Sequence, residues 1–372
     1  MKNSYRKRFR FNENVFDSYF LLLFLDLIII YAMKQVTLKQ IAETLNLSVS
    51  TVSKALKDYP DVSKKTKRLV KETVELLNYK PNAFAVNLRT KESKTIGLII
   101  PEVVHHFFSS VIKGIIAKAE KKGYLVIILQ SNESYELEKK QLDLLSSKRV
   151  DGILISLANG TADFKHLNDL ILHELPLVMF DKIAKIVNCS KVIINDRKAA
   201  YTATKYLIDS GCKRIAHFRG PLLPQNSIDR FLGYKNALIE HGISYDPSLV
   251  YILKDMSYDE GVHFAGQLLK DHNDVDGIFI NTDLVAIGAI TEFNRIGVKV
   301  PEDISIVGFS NWFMSSVISP TLTTIDQPGY EMGKEAFKLL YKEIKRRKEN
   351  LPIKFKTVEL ETKLIKRAST RN

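Results

Sequence analysis

Cysteine is nearly absent: Cys189 and Cys212 are the only two in 372 residues. That excludes a disulfide framework and a thiolate zinc cluster, and it fits a reducing cytosol. A bilayer-length apolar run is missing too. The N-terminal apolar stretch from Tyr19 to Ala32 covers fourteen residues and is broken by Asp26, whereas a spanning helix needs about 20. No nucleophile elbow, phosphate loop or paired acid/base signature stands out, so the chain reads as a switch and not an enzyme, with no cofactor expected. The neighbouring His105 and His106 cannot face the same way on a helix or a strand, which argues against a metal site. Acid is scarcer than base, with 42 Asp and Glu against 55 Lys and Arg and a net charge of +13.

The positive charge is concentrated in two places. From Met33 to Thr90 eleven basic residues face five acidic ones, the kind of surplus a phosphate backbone demands. From Lys334 to Asn372 thirteen face five, which we read as a solvated helix face and a loose terminus. Residues 1–32 carry Lys2, Arg6, Lys7, Arg8 and Arg10 ahead of the apolar stretch. A secretory signal would export a DNA-binding segment away from its DNA. We therefore expect these residues to be an extension ahead of the true first residue, Met33, with a membrane-tethered regulator as the alternative.

The segment from Val36 to Arg89 is the most informative. Thr37 can cap a helix, with Gln40 three residues on to close a capping box. Ile41, Ala42 and Leu45 recur at helical spacing, Asn46-Leu47-Ser48 interrupts them, and Val49 to Leu56 resumes the period with Ser48 as a new cap. Two short helices joined by a tight turn follow, a helix-turn-helix. In such a unit the second helix lies in the major groove with its first residues against base edges. Val49 can meet a thymine methyl, the hydroxyls of Ser50, Thr51 and Ser53 can reach bases or phosphates, and Lys54 can reach guanine or a phosphate. Val52, Ala55 and Leu56 are expected in the core. A third helix starts at Ser63 and is expected to stop at Pro81. The piece from Pro81 to Arg89 is too short to hold a helix alone and is expected to order on DNA.

This stretch resembles the DNA-binding head of the lac repressor family. The resemblance implies that Pro81-Asn82 opens a hinge helix, that Ala85 packs in the minor groove and that Leu88 wedges between base steps, bending the duplex. With Thr37 and Arg89, these residues complete the set assigned to DNA.

From Lys94 onward short apolar runs alternate with amphipathic helices, the signature of parallel sheets covered on both faces. Thr95–Ile100, Tyr124–Leu129, Asp151–Ile155 and Leu177–Phe180 form a first set of strands, and Val192–Ile194 is read as opening a second that continues through Ile215–Phe218, Gly277–Ile280 and Ile304–Phe309. The expected architecture is an all-α helix-turn-helix head plus hinge helix, joined to a two-lobed α/β core. The expected bounds are 33–80 for the head, 81–93 for hinge and linker, 94–193 with 328–358 for the first lobe, 194–327 with 359–368 for the second, and 369–372 as a tail.

The resemblance continues to Ala368, carried by Val150-Asp151-Gly152, Arg230 with Gly233, Asn281-Thr282-Asp283 with Ala286 and Gly288, Val307-Gly308-Phe309, and Ser319 to Ile325. It implies a core similar to periplasmic sugar-binding proteins, with a small polar effector held between the lobes at strand C-termini. Matching positions suggest Phe107, Phe108, Asp181, Arg230, Asp283 and Trp312 as the effector-binding set. Arg230 can donate a fork, Asp181 and Asp283 can accept from hydroxyls, and Trp312 offers a flat face to a sugar ring. Alternatively, Asp283 caps a helix beginning at Leu284 and Arg230 forms a structural ion pair. Two departures from the family pattern stand out: the loop before Phe107 lacks the common Asn-Pro, and Ser310 stands where many relatives carry Asp, a lost carboxylate that leaves the effector's identity open.

The partners expected are therefore a palindromic operator in double-stranded DNA, a sugar-like effector and a second copy of the chain, since one head reads only a half-site. The rivals are a periplasmic-type solute receptor, which has no use for residues 36–89, and an architectural DNA protein, which has no use for a cleft.

Overall fold

The structure is a computed structural model that describes residues 36–79, 92–103 and 106–371. It divides into two compact units, Met1–Lys91 and Glu92–Asn372. In the first, helices α1 (Leu38–Thr44), α2 (Val49–Leu56) and α3 (Lys64–Leu76) pack around Ile41, Ala42, Val52, Ala55, Val70 and Tyr79. Their starts are chemical. Thr37 and Gln40 close the expected capping box, while Ser48 and Ser63 accept from the backbone N–H of Thr51 and Thr66. Leu56 departs from expectation, being 38 % exposed, because it falls one position past the inward face defined by Val52 and Ala55. The third helix also ends earlier than expected. Asn78 takes a left-handed φ of 46° and the N–H of Tyr79 bonds back to the Val74 carbonyl, so the stop lies ahead of Pro81. The assignments made to residues 1–32 and to Asn82, Ala85, Leu88 and Arg89 lie outside the described residues.

The second unit contains two six-stranded sheets. The first has the order β11-β5-β4-β3-β1-β2, with β1 Thr95–Ile100, β2 Leu125–Gln130, β3 Gly152–Ile155, β4 Leu177–Phe180, β5 Ser190–Ile194 and β11 Thr357–Leu360, all parallel. The second has the order β12-β10-β9-β8-β6-β7, with β6 Ile215–Arg219, β7 Val250–Ile252, β8 Gly277–Ile280, β9 Ser305–Ser310, β10 Thr323–Asp326 and β12 Lys363–Ile365. Only β12 runs antiparallel there. The run Val192–Ile194 therefore does not open the second lobe: as part of β5 it pairs with β4 and β11 in the first sheet. The chain passes between lobes three times, after β5, after β10 and after β11.

Helices α4 (His106–Glu120), α5 (Tyr135–Ser147), α6 (Lys165–Leu172) and α11 (Gly329–Lys348) belong with the first sheet, and α7 (Asp196–Asp209), α8 (Gln225–Glu240), α9 (Tyr258–Asp271) and α10 (Asp283–Ile296) with the second. The residues expected to form a loose tail are tied down instead. Ser369 and Thr370 are buried, Ser369 exchanges backbone bonds with Ile306 and Thr321, and its hydroxyl donates to the Ile306 carbonyl. Two unpaired ladder positions beside β9 and β10 are satisfied in this way.

Candidate functional site

On the head, α2 turns Val52 and Ala55 inward and leaves Val49, Ser50 and Lys54 on the outer face. The cap organises this face: the Ser48 hydroxyl lies 2.7 Å from the hydroxyls of both Ser50 and Thr51. Lys54 sits 2.5 Å from Asp61, and both are about half exposed. Such a pair is worth little in water, so a phosphate can displace the carboxylate at small cost. Thr37 and Ser53 lie at the first cap and on the half-buried flank of α2.

In the core, strands end where the chemistry collects. Asp181 and Lys182 follow β4, Pro221 lies just past β6, Asn281 and Thr282 follow β8, Trp312 lies just past β9, and Gln327 follows β10. With Phe107, Phe108, Asn226, Ser227 and Arg230 they line a cavity of about 510 Å³ between the two sheets. All six residues assigned to the effector lie on this lining, yet two of them already have internal work.

Arg230 is buried, donates from Nε to Asp196 at 2.8 Å and from Nη1 to the Asn281 carbonyl at 3.0 Å, and lies 3.7 Å over the Phe309 ring. The ion-pair alternative is therefore what the structure contains. Burial pushes Asp196 up to about 7 while the guanidinium pulls it back. Asp283 opens α10 with Thr282, not itself, as the cap. Its carboxylate accepts from the Trp312 N–H at 2.7 Å and from the hydroxyls of Ser315 at 2.8 Å and Thr324 at 2.6 Å. It thus pins the 310–316 loop, whose Ser310 and Asn311 hold positive φ values of 115° and 52°. Burial raises the Asp283 carboxyl, and those donors oppose the rise.

Asp181 is different. It is buried in a left-handed conformation and has one long contact, 3.5 Å from the Asn226 amide. Burial raises it, against the pull of Arg230 and Lys182. Phe107 and Phe108 pack edge to face at 5.3 Å, and Trp312 stands edge-on to Phe313.

Polar residues outside the six assigned to the effector matter as much. The Ser227 hydroxyl, the Asn281 side-chain oxygen Oδ1 and the Gln327 amide nitrogen Nε2 are buried and, among the described residues, have no hydrogen-bond partner. Such atoms cost about 1–3 kcal/mol each when left unpaired. For Gln327 the available signal is its place one residue past a strand, but β10 is Thr-rich and lacks the apolar run that marks the other strands.

Residues 37–82 match the family model for bacterial regulatory proteins of the lacI family, and residues 93–364 match that for periplasmic binding proteins and the sugar-binding domain of the LacI family. The chain is 32 % identical over 335 residues to the ribose operon repressor of Halalkalibacterium halodurans, covering 90 % of this chain and 97 % of that protein. Among solved structures it is similar to the lac repressor dimer bound to operator and the anti-inducer ONPF (TM-score 0.80, 25 % identity, 90 % of this chain and 99 % of that one). A LacI family regulator from Enterococcus faecium with bound ribose is also similar (TM-score 0.65, 28 % identity, 74 % and 98 %).

Proposed function

The chain belongs to the lacI family of bacterial regulatory proteins, and from that premise we propose that it is a dimeric repressor whose grip on a palindromic operator changes when a sugar or similar polyol occupies the cleft. That it is a DNA-binding transcriptional regulator follows from the family itself. The finer reading rests on one observation: a cavity lined by strand-end polar groups and aromatic rings sits in the same chain as a capped helix-turn-helix. Thr37, Val49, Ser50, Thr51, Ser53 and Lys54 are proposed to meet DNA. Phe107, Phe108, Asp181, Arg230, Asp283 and Trp312, joined by Asn226, Ser227, Asn281 and Gln327, are proposed to hold or shape the effector site.

The mechanism is one of differential affinity. An effector that binds one arrangement of the lobes better than another shifts their balance, and only that difference is available to change operator binding. The regulator works where the DNA is, in the cytoplasm. The test is selection of bound sequences from a random duplex pool, followed by a screen of sugars against the winner. A palindrome whose affinity moves with one sugar is the expected result, and the absence of any enriched sequence would sink the reading.

A further inference from the structure

Among the described residues three basic side chains line the cavity, His106, Lys182 and Arg230, and the two permanent cations are already engaged. Lys182 sits 2.5 Å from Glu133 and 2.6 Å from the Asn159 side-chain oxygen Oδ1, while Arg230 is held by Asp196. His106 stands with its ring edge-on to Phe313 at 6.4 Å. The acidic groups outnumber these cations: Glu102, Glu133, Asp181, Asp255 and Asp283 all lie on the lining. Asp181 in particular is buried and, among the described residues, has no ion pair of its own, both neighbouring cations having other carboxylates in contact.

The unpartnered neutral atoms complete the picture. A Cβ placed on Gly220 would lie 2.9 Å from the Asn281 amide nitrogen and 3.2 Å from the Ser227 hydroxyl, so these two side chains converge on one spot. The Gln327 amide nitrogen forms a second spot, with the Ser310 hydroxyl donating to its carbonyl oxygen at 3.2 Å. Asp181 and the Asn281 side-chain oxygen ask a ligand for donors, the Ser227 hydroxyl can donate or accept, and the amide nitrogens of Asn281 and Gln327 ask for acceptors, a mixture that hydroxyls satisfy.

Building on the regulator reading, we infer that the cleft takes an uncharged, hydroxyl-rich ligand, a free sugar or a nucleoside, and rejects sugar phosphates and sugar acids. A phosphate or carboxylate entering this space loses its hydration, meets Asp181, and finds both permanent cations among the described lining residues, Lys182 and Arg230, already paired with carboxylates. A hydroxyl-rich neutral molecule meets the acceptors it needs. Arg230 can still donate to such a ligand, because pairing with Asp196 spends its charge and not all of its N–H groups.

The test uses the full chain and matched pairs: ribose with ribose 5-phosphate, glucose with glucose 6-phosphate and with gluconate, adenosine with its 5′-monophosphate. Thermal shift and titration calorimetry are expected to find at least one neutral member that binds, with its anionic partner at least a hundredfold weaker. An anionic member that binds as tightly as its parent overturns the inference, and so does a panel in which no neutral member binds. Gln327→Lys, which adds an unneutralised cation to the wall, is expected to narrow the gap by tenfold or more; an unchanged gap counts against the electrostatic argument. Sequence-selective duplex binding, measured on the same preparation, keeps the two readings apart: its absence sinks the regulator reading, whereas inverted charge selection with DNA binding intact sinks only this one.

Discussion

Arg230 and Asp196 form a buried pair at 2.8 Å, and breaking such a pair by removing one partner costs about 3–5 kcal/mol because the other charge is stranded. Arg230→Ala is therefore expected to lower stability by an amount in that range as well as to abolish the effector response. Adding Asp196→Asn should recover much of the stability while the response stays lost, a split that urea denaturation and ligand titration read separately. A variant that keeps both its stability and its effector response would remove Arg230 from either role. His217 makes a second residue-scale prediction. It is fully buried, stacks 4.8 Å from the Phe279 ring and bonds the Phe279 carbonyl through Nδ1 at 2.9 Å. Burial drives it down to about 3, whereas the unfolded chain takes up that proton below about 6.5. Between those limits the unfolded state binds more protons, so this group's contribution to stability falls as pH falls, by up to about 1.4 kcal/mol per pH unit. His217→Phe, which keeps a stacked ring, should lose about 2 kcal/mol less than the parent between pH 7 and pH 5; parallel stability curves would refute the assignment.

Helix pairs in the core are joined backbone to backbone at glycines. A Cβ on Gly333 of α11 would lie 2.0 Å from the Val111 carbonyl oxygen of α4, and one on Gly288 of α10 would lie 2.2 Å from the Tyr258 carbonyl oxygen of α9. Backbone cannot step aside as a flexible side chain can, so Gly333→Ala is expected to force α4 and α11 apart and cost about 1–3 kcal/mol or more. Thermal unfolding checks this, and Gly123→Ala, with nothing within 4 Å but a φ of 67°, serves as the strain-only control. The legibility of the sequence divides along the same line between local and distant causes. Caps at Thr37, Ser48 and Ser63 are local hydrogen bonds and read directly from residue spacing. The strand Leu177–Phe180 matches its expected bounds, since a short apolar run flanked by turn residues is itself a local signal. Sheet membership is not local. Val192–Ile194 has the same apolar character whichever sheet it joins, and only the partners Val178–Phe180 and Thr357–Leu360 decide it. The same holds in the cleft. Positions matched through the family resemblance point to Asp181, Arg230 and Asp283, but whether a carboxylate faces a ligand or a loop depends on Trp312, Ser315 and Thr324, distant in sequence from Asp283.

At the scale of the molecule, stability follows the division of the buried apolar clusters. One cluster draws on both lobes of the second unit, joining Ile96, Leu98 and Phe180 to Phe279, Val307 and Phe309. The lobes are consequently expected to unfold together although a cavity lies between them. The head has a small cluster of its own around Ile41, Val52 and Val70, and a unit of that size buries too little surface to be more than marginally stable. Calorimetry of the full chain should therefore show two transitions, with a free sugar or nucleoside that occupies the cleft raising only the larger. Ile41 is fully buried, and Ile41→Ala is expected to cost about 2–5 kcal/mol, enough to unfold the head near room temperature. The smaller transition and operator binding should then disappear together, while the ligand still raises the larger transition by its usual amount. If the larger transition also moves, or if operator binding survives, head and core are not separate cooperative units, and ligand control of DNA affinity would have to pass through shared folding and not through a change in lobe arrangement.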